Sequence, residues 1–112
     1  MNDYSNTAHL AVEEMDNIAD IDYHIIKKAA LVLRSLNHKL RQQMLMILNE
    51  NRLTVTQLYV KLRLEQSVAS QHLAILRKAG IVVTEREGKF IFYTINPARI
   101  AAINRYSKDI LN

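Results

Sequence analysis

Residues 65–79 read EQSVASQHLAILRKA and carry short hydrogen-bonding side chains at helical spacing, where a solvated helix face would carry Glu and Lys. With Ser67 at zero, Lys78, Gln71, Ser70 and Ala74 fall at roughly 20°, 40°, 300° and 340° around a helix axis. Leu76, Ala69 and Leu73 fall at roughly 180°, 200° and 240°, so the opposite side is a candidate core face. Ser and Gln can hydrogen-bond base edges and phosphates, and their small size lets a helix approach a major groove closely. The candidate DNA contacts are Arg63, Gln66, Ser67, Val68, Ser70, Gln71 and Lys78, the last as a phosphate contact. The competing reading is a solvated face without function. His72 falls at roughly 140°, at the edge of the apolar side, and is expected to pack against the preceding helix rather than to bind a metal or a base.

The elements around this stretch would position it. A first helix is expected over about 7–19, with Leu10, Met15 and Ile18 as its apolar side. A second is expected over about 21–35, with Ile21, Ile25, Ala29, Val32 and Leu36 recurring every three or four residues. Asn37 or His38 opens a third, with Leu40, Met44, Ile47 and Leu48 as its stripe. Thr54 and Gln57 have the spacing of a capping box, which starts a short helix at about 55–62. Arg63, Leu64 and Glu65 then make a tight connection, the outline of a helix-turn-helix over about 55–79. Gly80 stands where a left-handed cap would end the second helix.

The pattern then turns from helical to alternating. IVVTERE and KFIFYTI flank Gly88 as a β-hairpin over about 82–95, with its turn expected at Glu87–Gly88. Arg86 and Lys89 flank that tip and are candidate phosphate contacts, partly offset by Glu85 and Glu87. Arg86 has an alternative role as a cross-strand partner of an acid or of Tyr93. Asn96–Pro97 is a cap and first turn for a last helix over about 97–110, with Ile100, Ile103, Tyr106 (or Ser107) and Ile110 on one side. Helices, a hairpin and a helix in this order make a mainly α winged helix-turn-helix, read as one domain over 1–112.

Charge and composition narrow the partners. All 15 basic residues fall in 23–112 against five acids there, a formal +10, whereas residues 1–22 hold six acids and no Lys or Arg. A basic body of this kind suits a polyanion such as double-stranded DNA. Cysteine is absent, which excludes disulfides, thiolate metal sites and thiol switches. There is no apolar run of about 18 residues and no leader-like N-terminus, so a cytoplasmic protein with no membrane partner is expected.

These residues resemble the ArsR family of bacterial winged-helix repressors, from about Leu33 to Ile95. LNHKLRQQMLMIL resembles the family's L-x-D-P-x-R-x-x-I-L-x-L-L, with Lys39 where proline is usual. QSVASQHLAILRKAGIVVTEREGKFIFYTI is similar to Q-S-x-V-S-x-H-L-x-x-L-x-x-A-G-L-V-x-x-R-E-G-x-x-x-x-Y-x-L, and Arg63 replaces a glycine common in the turn. The resemblance implies a homodimeric repressor of a palindromic operator, assembled through its first and last helices. Independently, Leu10, Met15 and Ile18 with Ile100, Ile103, Tyr106 and Ile110 exceed what a small winged core can cover, and they are the expected dimer face.

The family's metal-sensing motifs are missing. Tyr59, Val60 and Lys61 stand in place of a Cys-x-Cys pair, and the last helix offers only Asp109 toward an Asp, His and Glu set. The acidic stretch Glu13, Asp16, Asp20, Asp22 and His24 is expected to be solvated rather than to ligate a metal. No metal, cofactor or catalytic residues are assigned, because no Ser–His–acid arrangement or phosphate-cradling glycine loop is present. The reading is a sequence-specific transcriptional repressor without metal or thiol sensing and with an inducer unknown. The alternative is a winged-helix module that binds another protein.

Overall fold

Among the described residues, the side chains of Asp22, His38 and Thr54, rather than glycine or proline, start the first three helices. The structure, a computed structural model, describes residues 20–112. The helix expected over 7–19, with Leu10, Met15 and Ile18, lies outside the described residues. Helix α1 (Tyr23–Leu36) starts at Asp22, whose Oδ1 accepts from the N–H groups of His24 and Ile25 at 3.1 and 3.2 Å. Helix α2 (Lys39–Glu50) starts at His38, whose Nδ1 accepts from Leu40 N–H at 3.2 Å.

Helix α3 (Val55–Leu62) has the capping box its spacing predicts. Thr54 Oγ1 accepts from Gln57 N–H at 3.2 Å, and Gln57 Oε1 accepts from Thr54 N–H at 2.9 Å. It ends at Arg63, whose φ of 57° and ψ of 48° put a non-glycine residue in the left-handed region. That conformation closes the turn, with Leu64 N–H reaching the Tyr59 carbonyl at 2.9 Å, and helix α4 (Gln66–Lys78) follows at once. α4 ends in a Schellman arrangement: Gly80 N–H bonds the Arg77 carbonyl at 2.9 Å, and Ile81 N–H bonds that of Leu76 at 3.0 Å. Gly80 supplies the positive φ, 75°, that this cap requires.

Strands β1 (Val82–Glu87) and β2 (Phe90–Ile95) pair antiparallel from Val82↔Ile95 to Glu87↔Phe90. The loop is therefore Gly88–Lys89, one residue later than expected. A two-residue loop of this hand needs positive φ at its first position, which falls on Gly88 at 64°, so glycine opens the loop instead of closing it. Register places Arg86 opposite Ile91 and Tyr93 opposite Thr84, so Tyr93 is a diagonal neighbour of Arg86 on one face rather than its direct partner, and the Arg86 side chain bonds the Gly88 carbonyl instead. A one-residue bridge, not foreseen from the sequence, ties the segment before α3 to this hairpin. Leu53 N–H donates to the Tyr93 carbonyl at 3.1 Å and its carbonyl accepts from Tyr93 N–H at 2.7 Å. Helix α5 (Pro97–Leu111) is capped by Asn96, whose Oδ1 accepts from Arg99 N–H at 3.2 Å.

The chain divides between Ala30 and Leu31, and the core belongs to the second part. Met44 and Leu48 of α2, Leu58 of α3, Ala69, Leu73 and Leu76 of α4, Ile81 and Val82 are its buried residues. Val32 and Leu36 of α1 pack on it as their periodicity predicts, whereas Ile21 and Ile25 of the same stripe are exposed. Ile100 and Ile103 of α5 also pack partly on this core, while Tyr106 and Ile110 stay exposed. Among the described residues no helix is long and apolar enough to cross a membrane.

Candidate nucleic-acid interface

α4 is divided lengthwise as its angular pattern predicts. Ala69, Leu73 and Leu76 are at most 1% exposed, and Gln66, Ser67, Ser70, Gln71, Ala74 and Lys78 face solvent. Val68 is half-buried. The N-cap Glu65 makes no side-chain hydrogen bond to the first turn of α4. Arg63 is exposed on the turn immediately before this end of the helix.

The strip continues into the hairpin. Ser70, Ala74, Arg77 and Lys78 of α4 line one open hollow with Tyr93 of β2. Arg77 was not among the residues singled out from the sequence, although its angle of roughly 280° lies beside that of Ser70. At the hairpin tip Arg86 and Lys89 are exposed, and Arg86 Nε donates to the Gly88 carbonyl at 3.2 Å. The Lys89 Nζ lies 5.5 Å from the centre of the Phe90 ring. Sequence reasoning also missed Arg52, which bonds Glu87 at 2.6 Å and lies 3.8 Å from Glu85. Partners more than thirty residues apart leave no local spacing to read.

His72 supports the helix from behind, but against a different neighbour from the one expected. Its ring lies 4.7 Å from that of His38, and its Nδ1 is 3.2 Å from Nη1 of Arg41, so it packs on the start of α2 rather than on α3. Its angle of roughly 140° puts it at the edge of the buried side of α4, where His38 and Arg41 at the start of α2 meet it. Arg41 also donates through Nε to the Ser35 carbonyl, which fixes the guanidinium between α1 and α4.

An arginine can only donate, so Nδ1 of His72 accepts and the neutral ring carries its proton on Nε2. Burial holds the His72 pKa below the usual histidine value, and the charges of His38 and Arg41 push it the same way. A histidine depressed in the folded state adds nothing above the unfolded pKa of about 6.5. Below it the unfolded chain takes up a proton that the folded chain resists, so stability falls with pH until the folded value is passed. Thermal unfolding followed by circular dichroism from pH 7 to 5 is therefore expected to fall less steeply in His72→Gln than in the wild type. Equal slopes would contradict this arrangement.

Among the described residues no three His, Asp or Glu side chains come together as a metal set. A helix-turn-helix with an exposed hydrogen-bonding strip and an adjoining β-hairpin defines a winged-helix DNA-binding protein. Residues 38–84 match the sequence profile of the bacterial regulatory protein, arsR family. The transcriptional activator HlyU of Vibrio cholerae is 40% identical over 76 residues, 68% of this chain and 70% of that protein. A solved HlyU structure from that species aligns with a TM-score of 0.59 at 36% identity, covering 77% of this chain and 95% of its own. The biofilm growth-associated repressor of Xylella fastidiosa is 32% identical over 95 residues, 85% of this chain and 77% of that protein. A homodimeric winged helix-turn-helix domain from Mycobacterium bovis shares the fold, with a TM-score of 0.67 at 21% identity, covering 79% of this chain and 82% of its own. The chain belongs to the ArsR family of bacterial regulators. It is a DNA-binding transcriptional regulator and not an enzyme.

Proposed function

We propose that the chain is a homodimeric repressor acting in the cytoplasm on a palindromic operator, with α4 in the major groove and the hairpin as its wing. Its signal is then neither a metal nor a thiol oxidation. The observation that carries this reading is the division of α4 into a fully buried apolar side and an exposed strip of Gln66, Ser67, Ser70 and Gln71. An exposed Lys and Arg at its C-terminal end, and Arg63 at its start, suit the phosphates on either side of a groove. The whole of 1–112 serves as one regulator, with 55–79 and 82–95 on the DNA and the terminal segments, about 1–20 and 97–112, in assembly.

Exposed apolar side chains support the dimer. α5 leaves Tyr106, Ile110 and Leu111 at 45, 59 and 84% exposure, more than a solvated helix end carries. α1 separately exposes Ile25, Ile26 and Leu31. Apolar periodicity reports that a face is covered, and a second copy would cover these. The Mycobacterium bovis domain, described as homodimeric, is consistent with that arrangement. A second reading concerns only the sign of regulation, since HlyU is named an activator and the Xylella fastidiosa relative a repressor.

The test is selection of bound duplexes from a random pool with the full chain. A palindrome is expected, and an asymmetric consensus would remove the symmetric dimer. Its affinity should fall by roughly 10³-fold or more between 50 and 200 mM salt, because neutralised phosphates release counterions. A flat salt response would favour a protein-binding module. Light scattering should report a dimer for the wild type and a monomer for the Tyr106→Glu, Ile110→Glu double variant. Placed in a promoter fusion, the recovered site should lower expression when the chain is present; a rise would make it an activator.

A further inference from the structure

The hairpin tip is electrostatically balanced by its own residues: Glu85 and Glu87 cancel Arg86 and Lys89. Strand alternation sorts these charges by face. Glu85, Glu87 and their cross-strand partners Phe92 and Phe90 share one face, and Arg86 with Ile91 lies on the other. Arg52 enters from the segment before α3 and lies against the acidic face. Its Nη2 bonds Glu87 Oε2 at 2.6 Å, its Nη1 is 3.8 Å from Glu85 Oε1, and its guanidinium carbon lies 4.2 Å from the centre of the Phe92 ring. The backbone beside it is fixed, because both polar groups of Leu53 are bonded to Tyr93.

We propose that Arg52 is a positioning residue of the wing: it gathers Glu85 and Glu87 on the face away from Arg86 and offsets one of their two charges, so that with Arg86 and Lys89 the tip approaches phosphate as a net cation. The inference rests on the reading that the wing touches DNA. The ion pairs are largely exposed, with side-chain exposures of 39, 55 and 64%, so their contribution to folding is small. Their effect is on the partner. Without Arg52 the tip carries two free carboxylates and no excess positive charge, and like charges brought together oppose binding.

The experiment measures affinity of the full chain for the duplex recovered by the selection above, by fluorescence anisotropy. Arg52→Ala is expected to lose roughly tenfold in affinity while its thermal midpoint stays near that of the wild type. Glu85→Gln with Glu87→Gln should bind at least as tightly as the wild type, and adding Arg52→Ala to that pair should cost no more than about twofold. An equal loss in both backgrounds would make Arg52 a direct phosphate contact and overturn the proposal. A loss on Glu85→Gln, Glu87→Gln alone would make the ion pairs a mechanical brace and overturn it as well. Arg86→Ala with Lys89→Ala separates the two levels. If that variant loses affinity and Arg52→Ala does not, only the role of Arg52 falls; if it loses none, the wing reading falls and this inference with it.

Discussion

Ser70→Glu is expected to reduce operator affinity by about 100-fold or more, since like charges placed together at an interface cost several kcal/mol. Ser70 is exposed at the middle of the α4 strip, in the hollow it shares with Ala74, Arg77, Lys78 and Tyr93. A carboxylate there would meet the phosphates on which a groove-bound helix lies, and would also compete for Arg77 and Lys78. The side chain is exposed rather than part of the buried Ala69–Leu73–Leu76 side, so the fold should not register the change; exposed substitutions usually stay within about 0.5 kcal/mol. Ser70→Ala removes one hydroxyl without adding charge and should cost far less. Anisotropy titrations of the three proteins at one salt concentration, with circular dichroism melts beside them, give the comparison. Wild-type affinity in Ser70→Glu would take α4 out of the groove.

The parts of this molecule that were legible in its sequence are those written in short-range spacing. Thr54 and Gln57 specify the start of α3 because a capping box closes within four residues, and the structure has both of its hydrogen bonds. The two sides of α4 follow from 3.6-residue periodicity, and the burial of Ala69, Leu73 and Leu76 agrees with it. Gly80 marked the end of that helix for a stereochemical reason, its positive φ. The same logic failed by one residue at the hairpin. Gly88 signalled a turn, but not whether it stood first or second in the loop; the pairing of Glu87 with Phe90 decided that.

What could not be read is long-range. Nothing near Arg52 announces Glu85, Glu87 or Phe92, and nothing near His72 announces His38 and Arg41, which lie more than thirty residues away. The Leu53–Tyr93 bridge that brings Arg52 to the hairpin is a single residue long, too short for any alternating pattern. Arg63 is a different case. A left-handed conformation costs a side-chain-bearing residue roughly 1–2 kcal/mol, so propensity alone argues against Arg at this position. The bond from Leu64 N–H to the Tyr59 carbonyl and the close start of α4 hold it there. The apolar stripe of α5 was read from its spacing as a face to be covered by a second copy. Part of the α5 stripe, Ile100 and Ile103, is covered by the chain's own core, and this shifts the assembly test to Tyr106 and Ile110.

The largest effect on stability is expected from Leu76→Ala. Leu76 is fully buried in the last turns of α4, among residues drawn from α2, α3 and β1, and its carbonyl accepts the Ile81 N–H that closes the helix. Truncation removes three carbons from a packed interior and leaves a cavity that the fixed backbone cannot close, for a loss of about 2–5 kcal/mol. A domain of this size has about 5–15 kcal/mol in total, so the lower end of that range already removes a large share. Each kcal/mol should lower the thermal midpoint by roughly 4–8 °C. Leu76→Met keeps the volume and should cost less than about 1.5 kcal/mol, which separates loss of packing from any effect on the α4 terminus. Because Leu76 faces away from Ser67, Ser70 and Gln71, the folded fraction of Leu76→Ala should still bind the operator with nearly wild-type affinity at low temperature. Stability and binding would then fail separately, one on each side of the same helix; a Leu76→Ala protein with an unchanged midpoint would mean that this side of α4 is not the core.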